Sequence, residues 1–177
     1  MFEVWTRRSG ASAGIKLVLL HGGPGCSHET FEVFDRCLPE AGIELYFYDH
    51  LGSHPSSQPD HEDLSEINRF GQEVEQVRQA LGLDASNVVL LGHSRGGILA
   101  VEYALQHQQQ LKGLLIPHPM DPLVMAAMAE ALPKGRHLHG PEGRPMALVD
   151  DPAVVMRGLI DFLHPVDRGT LAAPTAR

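Results

Sequence analysis

Residues 92 to 97 read GHSRGG, which sets Gly92, Ser94 and Gly96 in the spacing G-x-S-x-G directly after the apolar run NVVLLG. At a sharp turn from a strand into a helix, this spacing lifts a serine hydroxyl above the carboxyl end of a sheet, because small flanking residues let the backbone turn so tightly. The chemistry served is nucleophilic attack on an ester or amide carbonyl. That attack needs donors for the developing oxyanion. The N–H of Arg95, next after the serine and at a helix N-terminus, is the first expected donor. The second element is HGGPG at residues 21 to 25, after another apolar run. Its glycines bring a backbone N–H close to a carbonyl without a Cβ in the way, and Gly23 is the expected second donor, with Gly22, Gly92 and Gly96 supporting the two turns. Either stretch alone also has a plainer reading, as a glycine-rich turn. Both together at strand ends point to a site, since ligands in α/β sheets bind outside those ends.

The elements that position these turns are written as apolar runs. IKLVLL at 15 to 20, ELYFYD at 44 to 49, NVVLLG at 87 to 92 and LKGLLI at 111 to 116 are short and continuous, as for strands buried on both faces; RHLHG at 136 to 140 is a weaker fifth. In SEINRFGQEVEQVRQALG, the residues Ile67, Phe70, Val74, Val77 and Leu81 recur at alternating spacings of three and four, which predicts a helix with Ser65 as N-cap and Gly82 as C-cap. Further helices are expected after Ser94, over Pro122 to Leu132, and in DPAVVMRGLIDFL. Strands alternating with helices predict an α/β fold, a doubly wound, mostly parallel sheet sandwiched by helices.

A chain of 177 residues with 43% apolar composition holds one sizeable core, so a single domain over 1–167 is expected, with RGTLAAPTAR at 168–177 as a flexible tail. The net charge of -8 comes without basic clustering, which argues against a nucleic-acid partner. No apolar run is long enough to span a bilayer and MFEVWTRRSG lacks a signal-peptide core, so no membrane partner and a cytoplasmic location are expected. Cys26 and Cys37 make no disulfide framework and are expected as free thiols.

HGGPG, YDHLGS at 48 to 53 with QPD following, and GHSRGG with ILAVEYAL together resemble the proline iminopeptidase branch of the α/β-hydrolase superfamily. The resemblance runs from VWTRR near residue 4 to LKGLLI at 116 and resumes from MDP at 120 to about residue 163. It implies a serine peptidase that removes N-terminal proline or other residues from short peptides without metal or organic cofactor. It also suggests that His21 and His93 pack and orient the two turns.

The chain departs from the family pattern in two ways. LKGLLI runs straight into PHPMDP, where relatives insert a helical cap, so a minimal core without a cap is expected. The position of the triad acid falls on His118, although a one-gap shift gives the role to Asp121, and the position of the catalytic histidine falls on Pro145. Proline cannot carry a proton. Surrogate bases are therefore His118, His137 and His139, of which His118 stands at a predicted strand end with Asp121 three residues on to orient its ring. His137 and His139 form an HxH pair, but without a third ligand in view no metal is expected. The family usually has Gln where His50 stands and an aromatic residue where Arg95 stands; this arginine is expected to favour an anionic ligand or, preferably, to reach solvent.

Two functions follow. One is a weak esterase or amidase in which Ser94 attacks small substrates or short peptides, Gly23 and Arg95 hold the oxyanion, and His118, with Asp121 orienting it, or another histidine serves as base. The other is an inactive hydrolase-fold scaffold or binding protein without the catalytic histidine. Loss of the cap also leaves apolar surface at the strand ends, which a second copy would cover in a homodimer.

Overall fold

The sheet is built from five strands: β1 (Thr6–Ser9), β2 (Lys16–Leu20), β3 (Glu44–Tyr48), β4 (Val88–Gly92) and β5 (Gly113–Leu115), in the order β1-β3-β2-β4-β5. The computed structural model describes residues 2–23, 25–59, 67–117 and 152–170. The chain divides into two compact units, Met1–Pro117 and His118–Arg177. The sheet belongs to the first.

β2, β3, β4 and β5 run parallel and β1 joins the edge antiparallel to β3, so the expected mostly parallel sheet is the one observed. All five residues of β3 and all five of β4 are buried, which explains why their sequences show no polar alternation. β1, by contrast, has the polar sequence TRRS with exposure alternating along it, and for that reason no apolar run announces it. LKGLLI shortens to the three residues of β5, because the N–H of Leu111 is taken by Gln108 O in the turn that ends the preceding helix.

The two faces of the sheet are covered differently. Val18, Leu20, Tyr46, Tyr48, Val88 and Leu90 pack with α1 (Ile67–Ala80) and α2 (Arg95–His107) through Phe70, Val74, Val77, Leu99, Ala100 and Tyr103. The alternate residues Leu17, Leu19, Leu45, Phe47, Val89 and Leu91 are also fully buried. Their side is met by a 3-10 helix, His28–Arg36, whose Phe31 and Phe34 are buried and whose His28 ring lies edge-on to Phe47. Each such apolar side chain removed from water contributes about 1.5–3 kcal/mol before entropy is counted. α1 ends as the sequence predicts: Gly82, at φ 66°, takes the left-handed conformation just beyond the helix and its N–H bonds to Gln79 O. The predicted cap Ser65 and the elements expected at 122–132 and 136–140 lie outside the described residues.

β2 leads through the 3-10 helix to β3 on one side, whereas β3 leads through α1 to β4 on the other. The chain therefore turns back after β3 and crosses β2 to reach β4, and the loops leaving β2 and β4, neighbours in the sheet, diverge. A crevice opens where they part, outside the carboxyl ends of the two strands. Those loops are HGGPG and GHSRGG.

In the second unit, α3 (Pro152–Asp167) carries a buried stripe of Met156, Leu159, Leu163 and Val166. Residues 168–170 of the expected tail cap it: Arg168 N–H bonds to His164 O, Gly169 N–H to Val166 O and Thr170 N–H to Pro165 O, with Gly169 at φ 65°. No helix among the described residues is long and apolar enough to cross a membrane.

Candidate active site

Ser94 stands where β4 turns into α2 at φ 54° and ψ -123°, the only positive φ outside glycine among the described residues. The turn is fixed from both sides. His93 N–H still extends the sheet by bonding to Leu20 O at 3.0 Å, while Gly96 N–H bonds to His93 O at 2.9 Å and Gly97 N–H to Ser94 O at 2.9 Å. One residue is thus left to change direction from strand to helix, which forces a conformation that costs a side-chain-bearing residue about 1–3 kcal/mol.

The glycines around Ser94 are required by close approach. A Cβ on Gly96 would collide with the Leu20 carbonyl and lie 2.6 Å from His21 O, and one on Gly92 would collide with the Gly96 carbonyl. One on Gly97 would come within 2.8 Å of Ile116 Cγ2. The missing side chains let α2 press against the end of β2. On the opposite loop, a Cβ on Gly22 would stand 3.2 Å from Ser94 Cβ and 3.6 Å from its Oγ, so the HGGPG loop runs directly beside the serine. Gly23, at φ 132°, adopts a backbone that glycine alone takes readily. Ser94, Gly22, Gly92 and Gly96 are therefore gathered at one point. His118, Asp121, His137, His139 and Pro145 lie outside the described residues.

Beneath the loop is a buried polar network that motif reading did not assemble. The His21 ring, 2% exposed, accepts the His50 backbone N–H at Nε2 over 3.1 Å, which leaves its proton on Nδ1 for Gly22 O at 2.7 Å. Burial, reinforced by the neighbouring His50, lowers its pKa to about 4, so the ring is neutral near pH 7 and works as a fixed brace. His50 Nδ1 lies 2.7 Å from Tyr48 Oη and 3.3 Å from Glu73 Oε1. Glu73 also accepts the Leu51 N–H and pairs with Arg69 at 2.8 Å. Asp49, fully buried, holds the far end of the loop by accepting His28 N–H at 2.6 Å and contacting His28 Nδ1 at 2.7 Å. His93 packs edge-on to Phe31, and burial lowers its pKa as well. One signal for this network was present in the sequence: Glu73 falls on the same helix face as Phe70, Val74 and Val77, a carboxylate among core positions.

A cavity of about 210 Å³ adjoins the serine. Gly22, Arg95 and Gly96 line it on the side of Ser94, and His21, His50, Leu51, Phe70 and Leu99 contribute to the rest. Arg95 is half-buried: its guanidinium carbon lies 5.0 Å above the Phe70 ring and the residue forms part of the cavity wall. Cys26 and Cys37 are exposed free thiols. Among the described residues no three His, Cys, Asp or Glu converge to hold a metal ion.

Comparison with known proteins agrees with this geometry. The family model described as alpha/beta hydrolase fold matches residues 16–152. The chain is 52% identical over 119 residues to the proline iminopeptidase of Elizabethkingia meningoseptica and 50% identical over 119 residues to that of Flavobacterium johnsoniae. In each case the match takes in 67% of this chain and 40% of the relative, so the chain spans well under half the length of these relatives. Among solved structures, a proline iminopeptidase from Mycobacterium smegmatis matches at TM-score 0.59 and 25% identity, over 96% of this chain and 55% of that one. A predicted CIB-like hydrolase from Thermoplasma acidophilum matches at TM-score 0.75 over 92% of both chains, at an identity of 16% that speaks for the fold alone. With a family model matched over most of its length and the sharp serine turn at the crevice of its sheet, this chain belongs to the alpha/beta hydrolase fold family and is proline iminopeptidase-like in sequence.

Proposed function

We propose that the protein is a serine hydrolase acting on small esters or amides, short peptides included, with Ser94 as its nucleophile. The observation that carries this reading is the strained backbone of Ser94 at φ 54° beside the Gly22–Gly23 loop. Strain of that kind persists only where the surrounding structure imposes it, and it clusters at catalytic positions.

In this mechanism Ser94 Oγ attacks the carbonyl carbon as a histidine takes its proton. The negative charge that develops on the carbonyl oxygen is held by the N–H groups of Gly23 and Arg95. Collapse expels the alcohol or amine, protonated by the same histidine, and leaves an acyl group on Ser94. Water activated by that histidine then releases the acid. His118 is assigned as the base, with Asp121 orienting it. His21 is not available for the role, since its Nε2 is engaged by the His50 N–H and its pKa of about 4 leaves it a poor base near neutrality.

The test is fluorophosphonate labelling of the full chain, read by intact mass, beside Ser94→Ala and His118→Ala. Labelling that requires Ser94 and falls steeply in His118→Ala is the expected result. Folded protein that takes up no label overturns the reading in favour of a hydrolase-fold scaffold without turnover.

A further inference from the structure

The polar network under the HGGPG loop fixes the place of a proton. Gly22 O only accepts and the His50 N–H only donates, so the two contacts of the His21 ring, 2.7 Å at Nδ1 and 3.1 Å at Nε2, require a neutral ring protonated on Nδ1. A competitor for that proton stands close by. Asp49 Oδ1 lies 3.8 Å from Nε2 and favours a proton on that nitrogen, which the His50 N–H already occupies as donor. The position of the His50 backbone therefore decides the tautomer.

That position is held from α1. Glu73, itself buried, sets Oε1 3.3 Å from both His50 Nδ1 and the Leu51 N, while its Oε2 pairs with Arg69 at 2.8 Å. Its carboxylate thus holds the side chain of His50 and the backbone just after it. The tautomer in turn aims a donor. In a trans peptide, such as that joining Gly22 and Gly23, the carbonyl and the following N–H lie in one plane and point opposite ways. With Gly22 O drawn to the His21 ring, the Gly23 N–H is directed away from it, and it has no acceptor among the described residues.

We propose that Glu73 is a positioning residue for the oxyanion donor: by holding the His50–Leu51 backbone it keeps the His21 proton on Nδ1, and so keeps the Gly23 N–H aimed at the acyl oxygen. The inference rests on the hydrolase reading only for what the Gly23 N–H meets. Without the carboxylate, the His50 N–H loses its fixed place and Nε2 takes the proton toward Asp49. Gly22 O then faces a lone pair on Nδ1, and the peptide is free to turn.

The test has two readouts on the full chain, Glu73→Ala and Glu73→Gln. Long-range proton–nitrogen NMR near neutral pH reports the tautomer of His21, assigned by the signals lost in His21→Gln. The proton is expected on Nδ1 in the wild type and in Glu73→Gln, which keeps an oxygen for the Leu51 N–H, and on Nε2 in Glu73→Ala. With p-nitrophenyl acetate, Glu73→Ala is expected to lower kcat about tenfold, a part of the roughly 10²–10³ that loss of a whole donor costs, with KM changed less than about twofold. Glu73→Gln should recover most of that loss. If Glu73→Ala does not fold, the Arg69→Met, Glu73→Leu double variant removes both charges of the pair and is held to the same two expectations. A wild-type His21 protonated on Nε2, or a tautomer unchanged without Glu73, overturns the assignment. Turnover with an unchanged kcat in Glu73→Ala overturns the positioning role and leaves the hydrolase reading standing. A tautomer that shifts as expected in a protein without turnover upholds the hold of Glu73 on the loop and removes the hydrolase reading.

Discussion

Replacing Ser94 by alanine and by glycine separates two properties of the site. Both substitutions remove the hydroxyl and with it any nucleophile. Alanine keeps a Cβ, and so keeps the steric cost of φ 54° with ψ -123°; glycine removes it. The strain relieved is worth about 1–3 kcal/mol. Glycine also loosens the unfolded chain, which takes back about 0.5–1 kcal/mol. Taking the middle of each range, Ser94→Gly should therefore exceed Ser94→Ala in stability by about 1 kcal/mol. At about 2–4 °C per kcal/mol for a chain of this size, that is a Tm difference of roughly 2–4 °C. Urea denaturation of both variants, checked for equal slopes against denaturant, gives the free-energy difference directly. An alanine variant as stable as the glycine variant would refute the reasoning. It would mean that the hydrogen bonds from His93 to Leu20 and from Gly96 to His93 do not hold the turn in its costly form.

Two further predictions rest on the same end of the sheet. Gly96→Ala should destabilise by about 3 kcal/mol, because its Cβ meets the Leu20 carbonyl and the backbone must separate α2 from β2, whereas Gly71→Ala, with no heavy atom within 4 Å of the new Cβ, should stabilise α1 by about 0.5–1 kcal/mol; thermal melts of the pair give the signs. Acid sensitivity should begin above the carboxylate range. His21 has its ordinary value of 6.5 when unfolded and about 4 when folded, so between these the unfolded chain holds a proton that the folded chain lacks. The stability it contributes is complete above about pH 6.5 and falls as pH drops toward 4, by about 3 kcal/mol in all. Glu44, whose burial is outweighed by hydrogen bonds from Lys16, Tyr46 and the Ser12 N–H, sits at about 2 and enters only below its ordinary 4.5. Denaturation at about pH 7, 6 and 5 should show this slope in the wild type and a flatter one in His21→Gln, with half-buried His93, also lowered by desolvation, contributing in the same direction. An equal slope in both proteins would place the acid sensitivity elsewhere.

The fold was readable where burial is complete. β2, β3 and β4 are buried on both faces, and such strands are written as unbroken apolar runs that no polar register interrupts. α1 was readable because one face of it is core and the other is solvent, which imposes the spacing of three and four. β1 escaped because an edge strand needs no apolar sequence: TRRS is held by pairing with β3 from Thr6 opposite Tyr48 to Ser9 opposite Leu45, and backbone hydrogen bonds leave no mark in residue type. The 3-10 helix escaped for a related reason, since it buries Phe31 and Phe34 but turns too tightly to repeat with the α-helical period.

The site divides along the same physical line. The serine turn and its neighbouring loop are demanded locally: a Cβ at Gly92, Gly96 or Gly97 would strike backbone or a packed side chain, so glycine spacing alone records the close approach of α2 to β2. The brace beneath it is recorded only in fragments. His21, His50, Asp49, His28 and Glu73 come from four separate stretches of chain, and what joins them is the parallel register that brings the end of β2 level with the end of β3. The contact of Arg95 was illegible on the same ground, because nothing in the sequence sets Phe70, from a different helix, 5.0 Å below its guanidinium. A general base is a residue of this second kind. Its identity depends on which strand end the topology delivers to Ser94, so it is decided by sheet order and register rather than by any spacing of histidines along the chain.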